Sequence, residues 1–375
     1  MKSITEILGG MQILLEVNFD LQKGFEEYLT QDQRTFLAIL RVLEEHTPLP
    51  CETESRYGRP AFRINPFIRA FLAKSFFRIL SMDDLRKRLI ADPNLRRICG
   101  FTTVPSLATF SRRMDMLSKS ATMEKTFEAM VADYHAGRLV GDISRDSTGI
   151  EAREKPCNKK RDIAPQEQKK YRRGRPKKGE VRPPKAAPVV AQQVTMSLEE
   201  SLSTLEKRCS WGCKKNSQGN LWYWKGYKVH LDVTECGIPI SAVVTGAGVH
   251  DSQVAIPLER MTETRVTHLY SLMDAAYDSE TIRNFIQQRG RVPLIDHNKR
   301  RNDTRAPFDP ASKLRYAIRT TVERTNSHLK DWLLSSPYFV KGIKKVTFQV
   351  MCGVLNLAAI KILQYFIAPS LAKSA

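Results

Sequence analysis

The period of the apolar residues changes near residue 135, and that change limits what each part of the chain can fold into. Before it the spacing is helical. Phe36, Ile39, Leu40 and Leu43 fall at i, i+3, i+4 and i+7, and Phe67, Ile68, Phe71, Leu72 and Ile79 mark a second helix. Ser81 is placed to cap another, with Asp83 and Asp84 in its first turn; Pro93 and Gly100 break the chain, and Ser106 can cap a last helix. Three short helices with tight breaks are the pattern of a helix-turn-helix. Residues 1–135 are therefore expected to form an all-α N-terminal domain.

From Leu139 the pattern is that of a sheet. LVGDISRDSTGIEA reads as a strand carrying Asp146, with Asp142 at its start. WYWKGYKVHLDV and GIPISAVVTGA follow at hairpin distance, then a helix from Asp251, a buried strand HLYSLMDAAY bearing Asp274, a capped helix ending at Gly290 and the short strand VPLIDH. Residues 153–220 interrupt this order. They are dense in Lys, Arg and Pro, so a flexible basic insert is expected there, with a short helix around Ser197 to Lys207. Cys209 and Cys213 are spaced C-x3-C, but no His or Cys pair at finger spacing completes a zinc site, and structural zinc is not expected. His230 and His250 read as structural, and Trp211, Trp222 and Trp224 as core or hairpin packing, with base stacking as the other use of such rings.

The stretch Tyr316 to Lys330 carries the densest set of functional side chains. On a helix at about 100° per residue, Tyr316, Arg319, Glu323 and Lys330 share one stripe with Asn326 close by, and Ile318, Val322, Leu329 and Trp332 form the opposite, buried seam. The open face then presents a carboxylate flanked by two cations and a phenol. The 375 residues include 60 Lys plus Arg against 40 Asp plus Glu, and the resulting formal charge of +20 points to a polyanionic partner, nucleic acid above all. Seven scattered cysteines without a secretory leader point to a reducing cytoplasm. The apolar run Val346 to Ile367, interrupted by Gln349, Asn356, Lys361 and Gln364, reads as a core helix rather than a membrane span.

The spacing Tyr, two residues, Arg, three residues, Glu, six residues, Lys resembles the Y-R-E-K signature of DDE-class insertion-sequence transposases. The resemblance extends, in order, to DSTGIEARE at Asp146, GYKVHLDV, GVHDSQ and LMDAAYDSETI at Asp274, and to the N-terminal helical region. It implies an α/β catalytic domain over residues 136–368, with a ribonuclease H-like mixed sheet and flanking helices, interrupted by the basic insert. Asp146, favoured over Asp142 by the DST sequence, would join Asp274 and Glu323 as the catalytic carboxylates holding two Mg²⁺ or Mn²⁺ ions for strand cleavage and strand transfer.

Tyr316, Arg319, Asn326 and Lys330 would hold DNA beside Glu323, and Arg112 and Arg113 would face DNA from the last N-terminal helix. The implied partners are double-stranded DNA, as element ends and target, and a second copy of the chain, in a prokaryotic cytoplasm at the nucleoid. A nuclease of the same fold that does not join, and an inactive DNA-binding derivative, are the alternatives; intact Asp146, Asp274 and Glu323 argue against the second. Within the insert, Arg173, Arg175, Lys177 and Lys178 surround a Gly-Arg-Pro core that resembles an AT-hook, suited to a narrow A·T minor groove.

Overall fold

The computed structural model describes residues 28–46, 62–157, 187–215, 218–298, 307–335 and 337–367. Arg173, Arg175, Lys177 and Lys178 lie outside the described residues. Before the first strand, every described element is a helix. These are α1 (Gln31–Glu44), α2 (Asn65–Phe76), α3 (Met82–Ala91), α4 (Pro93–Cys99), α5 (Leu107–Ser120) and α6 (Thr122–His135). The capping expected from the sequence is present. Ser81 accepts from the Asp84 amide at 3.0 Å, Ser106 accepts from the Thr109 amide at 3.3 Å, Pro93 opens α4, and Gly100 closes it with φ 85°, a left-handed conformation that costs glycine little. Ile79 falls beyond the end of α2, although it still packs on the core.

Six strands form one mixed sheet in the order β2 (Ser210–Lys215), β3 (Leu221–Thr234), β1 (Leu139–Glu151), β5 (Thr267–Met273) and β6 (Val292–Ile295), with β4 (Pro239–Gly246) also paired to β3. β1 is antiparallel to β3 and parallel to β5, so the strand that carries Asp146 lies at the centre. β2 falls inside the stretch expected to be a flexible insert. It is ordered by the aromatic hairpin it makes with β3: the Trp224 ring lies over Gly149 of β1 and Gly212 of β2, where any side chain would collide with it. The expected short helix is present as α8 (Leu198–Ser203), preceded by α7 (Val189–Gln193). Between the strands run α9 (Ala255–Glu263) and α10 (Glu280–Gln287).

The C-terminal part is helical. α11 (Pro310–Tyr316) passes through a tight turn (Ala317–Arg319) into α12 (Thr320–His328), which ends in a wide π-helical turn (Leu329–Leu333), and α13 (Ile343–Ile362) follows. The expected uninterrupted helix from Tyr316 to Lys330 is thus broken twice. Val322 and Leu329 are buried as expected, but Trp332 is 63% exposed, because the wide turn rotates it outward and brings Leu333 into the seam. The described residues hold one helix long and apolar enough to cross a membrane, Ile343–Ile367, and most of it is buried in this protein. Val346, Phe348, Val350, Val354 and Leu357 share one continuous core with Phe36, Phe67 and Phe71 from α1 and α2 and with Val229 and Leu231 from β3.

Beneath the sheet lies a second, polar anchor. Arg145 of β1 is 1% exposed and donates two hydrogen bonds of 2.6 Å to Asp232 of β3, one of 3.0 Å to Glu259 and one of 2.9 Å to the carbonyl of Ala255, both on α9. Thr262 donates to the same Asp232, and Arg291 to Glu259 at 3.1 Å. Removing the guanidinium leaves two buried carboxylates short of charge and donors, which typically costs about 3–5 kcal/mol. Arg145→Met is therefore expected to lower the unfolding free energy by that amount in a denaturant titration, with part of the loss recovered in the double variant Arg145→Met, Asp232→Leu.

Candidate active site

The parallel pairing of β1 and β5 sets Arg145 opposite Met273. Asp146 is the next residue of β1 and Asp274 the first residue after β5, so two carboxylates from positions far apart in the chain become neighbours at the end of β5. Asp274 caps the turn that follows β5, its Oδ1 accepting from the Ala276 amide at 3.0 Å. Asp146 is 9% exposed and its Oδ2 accepts from Asn326 Nδ2 of α12 at 3.0 Å. That hydrogen bond pins the helix carrying Glu323 to the strand carrying Asp146.

Burial pushes the Asp146 carboxyl up to about 6; the charge of Asp274 adds to this, while Lys214, Arg319 and the Ser147 amide oppose it. Asp274 is raised as well, by burial first and then by the charge of Asp251, against the Ala276 amide, Arg319 and Lys214. Two cations from different elements, Lys214 on β2 and Arg319 before α12, thus stand near an anionic pair that burial disfavours.

Glu323 is placed differently. It lies on the same side of α12 as Asn326 but is half exposed, and its partner is Arg319, at 2.6 Å. It lines an open groove with Arg324, His328, Asp331 and Trp332. Among the described residues, no three His, Cys, Asp or Glu side chains already stand close enough to enclose a metal ion. The structure therefore brings Asp146 and Asp274 together, ties the Glu323 helix to them, and leaves the Glu323 carboxylate on its neighbouring arginine.

The remaining expected residues divide between protein and solvent. Tyr316 donates to the carbonyl of Met273 at 3.1 Å, which fixes the end of β5 just before Asp274, and burial pushes its phenol up to about 12. Asn326 is likewise buried against the pair rather than offered to solvent. Lys330 is exposed on the π-helical turn. Arg112 is exposed, whereas Arg113 is half-buried, hydrogen-bonded to the Phe62 carbonyl and seated 5.7 Å from the centre of the Phe67 ring. Asp142 is 4% exposed and ion-paired with Arg315 at 3.1 Å, so it holds α11 to the sheet.

His230 is buried on Thr245 at 2.9 Å, and His250 caps the turn at Ser252, so both sit as structural residues. Trp224 is buried, and Trp222 stacks on it at 5.2 Å with one side open. Three contributors were not singled out from the sequence: Lys214, inside a stretch read as insert; Asp251, which ion-pairs with Lys228 at 2.9 Å; and Tyr277, three residues after Asp274. Asp251 and Tyr277 do lie in the motifs GVHDSQ and LMDAAYDSETI, so their segments were visible although their roles were not.

A family model described as a transposase DDE domain matches residues 143–351, more than half of the chain, and one described as a transposase domain matches residues 25–115. The chain belongs to the DDE transposase family. A transposase of this family is a DNA-cutting and joining enzyme, and the first match spans Asp146, Asp274 and Glu323. No match was found among curated proteins or among solved structures. The six-stranded mixed sheet with flanking helices is compatible with the ribonuclease H-like fold of such domains.

Proteins of this family depend on divalent metal, and the donor set here suits one. Asp146 and Asp274 are hard oxygen donors that burial destabilises as a pair, and the Oδ1 atom of Asn326, beside Asp146, is buried without a hydrogen-bond partner. The raised Asp146 pKa has a direct consequence for stability. An acid that binds its proton more tightly when folded contributes stability that is complete below the ordinary carboxylate pKa and is lost as pH rises through the folded value, here about 6. Relative to the wild-type transposase, Asp146→Asn is expected to gain about 2 kcal/mol between pH 4 and pH 7. Chemical denaturation at both pH values in the presence of a chelator measures the difference.

Proposed function

We propose that this transposase binds the ends of its mobile element and performs metal-dependent DNA strand cleavage and strand transfer with Asp146, Asp274 and Glu323. The observation that carries the reading is the meeting of Asp146 and Asp274 on adjacent parallel strands, with the helix of Glu323 pinned to Asp146 through Asn326. Asp146, Asp274 and Glu323 would hold Mg²⁺ or Mn²⁺, which polarises the phosphate and lowers the pKa of the attacking water or 3′-hydroxyl.

The protein's own residues do the positioning. Arg319 has the planar fork that takes a phosphate in two hydrogen bonds, and it already spans the distance between Glu323 and the buried pair. A DNA phosphate entering at this point competes with Glu323 for that guanidinium and frees the carboxylate for the centre. Lys214 supplies a second positive charge from the hairpin side, and Lys330 a third from the π-helical turn. Tyr316 keeps the end of β5 in place rather than touching DNA. In the helical region before β1, Arg112 is the arginine of its pair that is open to DNA.

Asp146→Asn, Asp274→Asn and Glu323→Gln are each expected to reduce strand cleavage at least about a thousandfold while end binding stays within about twofold, read on one labelled end duplex by gel shift and product analysis. Joined products from the wild type, Mn²⁺ and a target duplex support strand transfer; nicked ends alone would make the chain a nuclease of the same fold. Arg112→Ala is expected to weaken end binding more than Arg113→Ala, and equal losses would return both to a structural role.

A further inference from the structure

One polar group near the centre has no use in the mechanism above. Tyr277 closes the turn that Asp274 caps, and its ring is 0% exposed, packed among Ile256, Met273, Ile282 and Phe285. Its hydroxyl is buried without a hydrogen-bond partner. Leaving a phenol oxygen unpaired in an apolar core is unfavourable, and phenylalanine would fill the same space without that penalty. Burial first, and then the charges of Asp251, Asp146 and Asp274, hold the phenol well above its ordinary range, against the charge of Arg145. It stays a donor at any physiological pH.

The acceptors within this group are not equivalent. Asp251 is engaged by the Lys228 ammonium at 2.9 Å and by the Ser147 hydroxyl. Burial raises that carboxyl, but the His230 charge at low pH, the Lys228 charge and these hydrogen bonds outweigh it and hold Asp251 below its ordinary value. Burial pushes His230 down to about 4, so at neutral pH the standing counter-charge is Lys228. Asp251 is thus held by its own partners and is not the acceptor left open to the hydroxyl. One oxygen of Asp146 is taken by Asn326 and one of Asp274 by the Ala276 amide.

We propose that Tyr277 is a positioning residue for the divalent-cation centre: when Asp146 and Asp274 hold a cation, the Tyr277 hydroxyl donates to a carboxylate oxygen of that pair and fixes its orientation. The inference rests on the reading that Asp146 and Asp274 hold the cation. A ligating carboxylate whose far side is hydrogen-bonded is presented to the metal in one orientation, and loss of such a partner typically weakens metal binding about 10- to 100-fold.

The test is a direct Mn²⁺ titration of the full chain without DNA, following free Mn²⁺ by its magnetic resonance signal, on the wild type, Tyr277→Phe and Asp274→Asn, together with the thermal midpoint of each. The expected result is that Asp274→Asn abolishes the site and Tyr277→Phe weakens it about tenfold, with a midpoint equal to or above that of the wild type in the absence of metal. Equal Mn²⁺ affinity in wild type and Tyr277→Phe, with Asp274→Asn still defective, would overturn the role of Tyr277 and leave the cation reading standing. Equal affinity in wild type and Asp274→Asn would overturn the cation reading and the inference with it. A metal-free midpoint lowered by several degrees in Tyr277→Phe would show that the hydroxyl is a structural partner and likewise overturn the proposal.

Discussion

The buried fork of Arg145 is the contact on which the rest of the centre depends. It lies one residue before Asp146 and joins the central strand to β3 through Asp232 and to α9 through Glu259 and the Ala255 carbonyl. Side chains alternate along a strand, so the ion cluster occupies one face of β1 at this point while Asp146 is turned to the other. The apolar residues of β3 and α13 hold the sheet from that second face. A guanidinium fixed by four hydrogen bonds leaves the strand little freedom to slide, and a slip of one residue would carry Asp146 to the wrong side. Because a buried ion cluster often adds little net stability over apolar residues of the same volume, what this one supplies is better sought in the register it fixes.

In the proposed reading, the negative charge of the centre is incomplete until substrate arrives. Asp146 and Asp274 are raised by burial, and nearby Arg319 and Lys214 supply positive charge. Glu323 is turned to Arg319. In the proposed reading the same arginine stabilises the carboxylates when the site is open and would offer its fork to a phosphate when DNA is present, which would link assembly of the centre to its substrate.

Much of this was legible in the sequence because it depends on periodicity and caps. The apolar faces of α1 and α2, the caps at Ser81 and Ser106, the strand of Asp146 and the core character of the C-terminal helix all follow from local spacing. The β2 strand was not legible. Its six residues, SWGCKK, carry little apolar signal of their own, and what orders them is an indole contributed by β3 and seated over two glycines. The broken helix was missed for a related reason: a wheel drawn at one angle cannot show a wide turn, and the position of Trp332 depends on that turn. Within the site, Asp146, Asp274 and Glu323 were marked by their flanking motifs. The inward turn of Tyr316 and Asn326, and the different fates of Arg112 and Arg113, depend on which long-range partner each side chain finds.

The continuous core has a consequence for how the enzyme comes into being. The helices described before β1 are packed against α13, and β1 finds its parallel partner only in β5, more than a hundred residues later. On a ribosome the early helices emerge well before the segment that completes their interior, and Asp146 waits for Asp274 and then for Asn326. Long-range pairing of this kind is slow and pays its loop-closure cost late. A chain arrested before α13 has the carboxylates but not the core that holds them in register. Formation of the candidate site thereby waits for α13, whose apolar residues complete the interior shared by the early helices and the sheet.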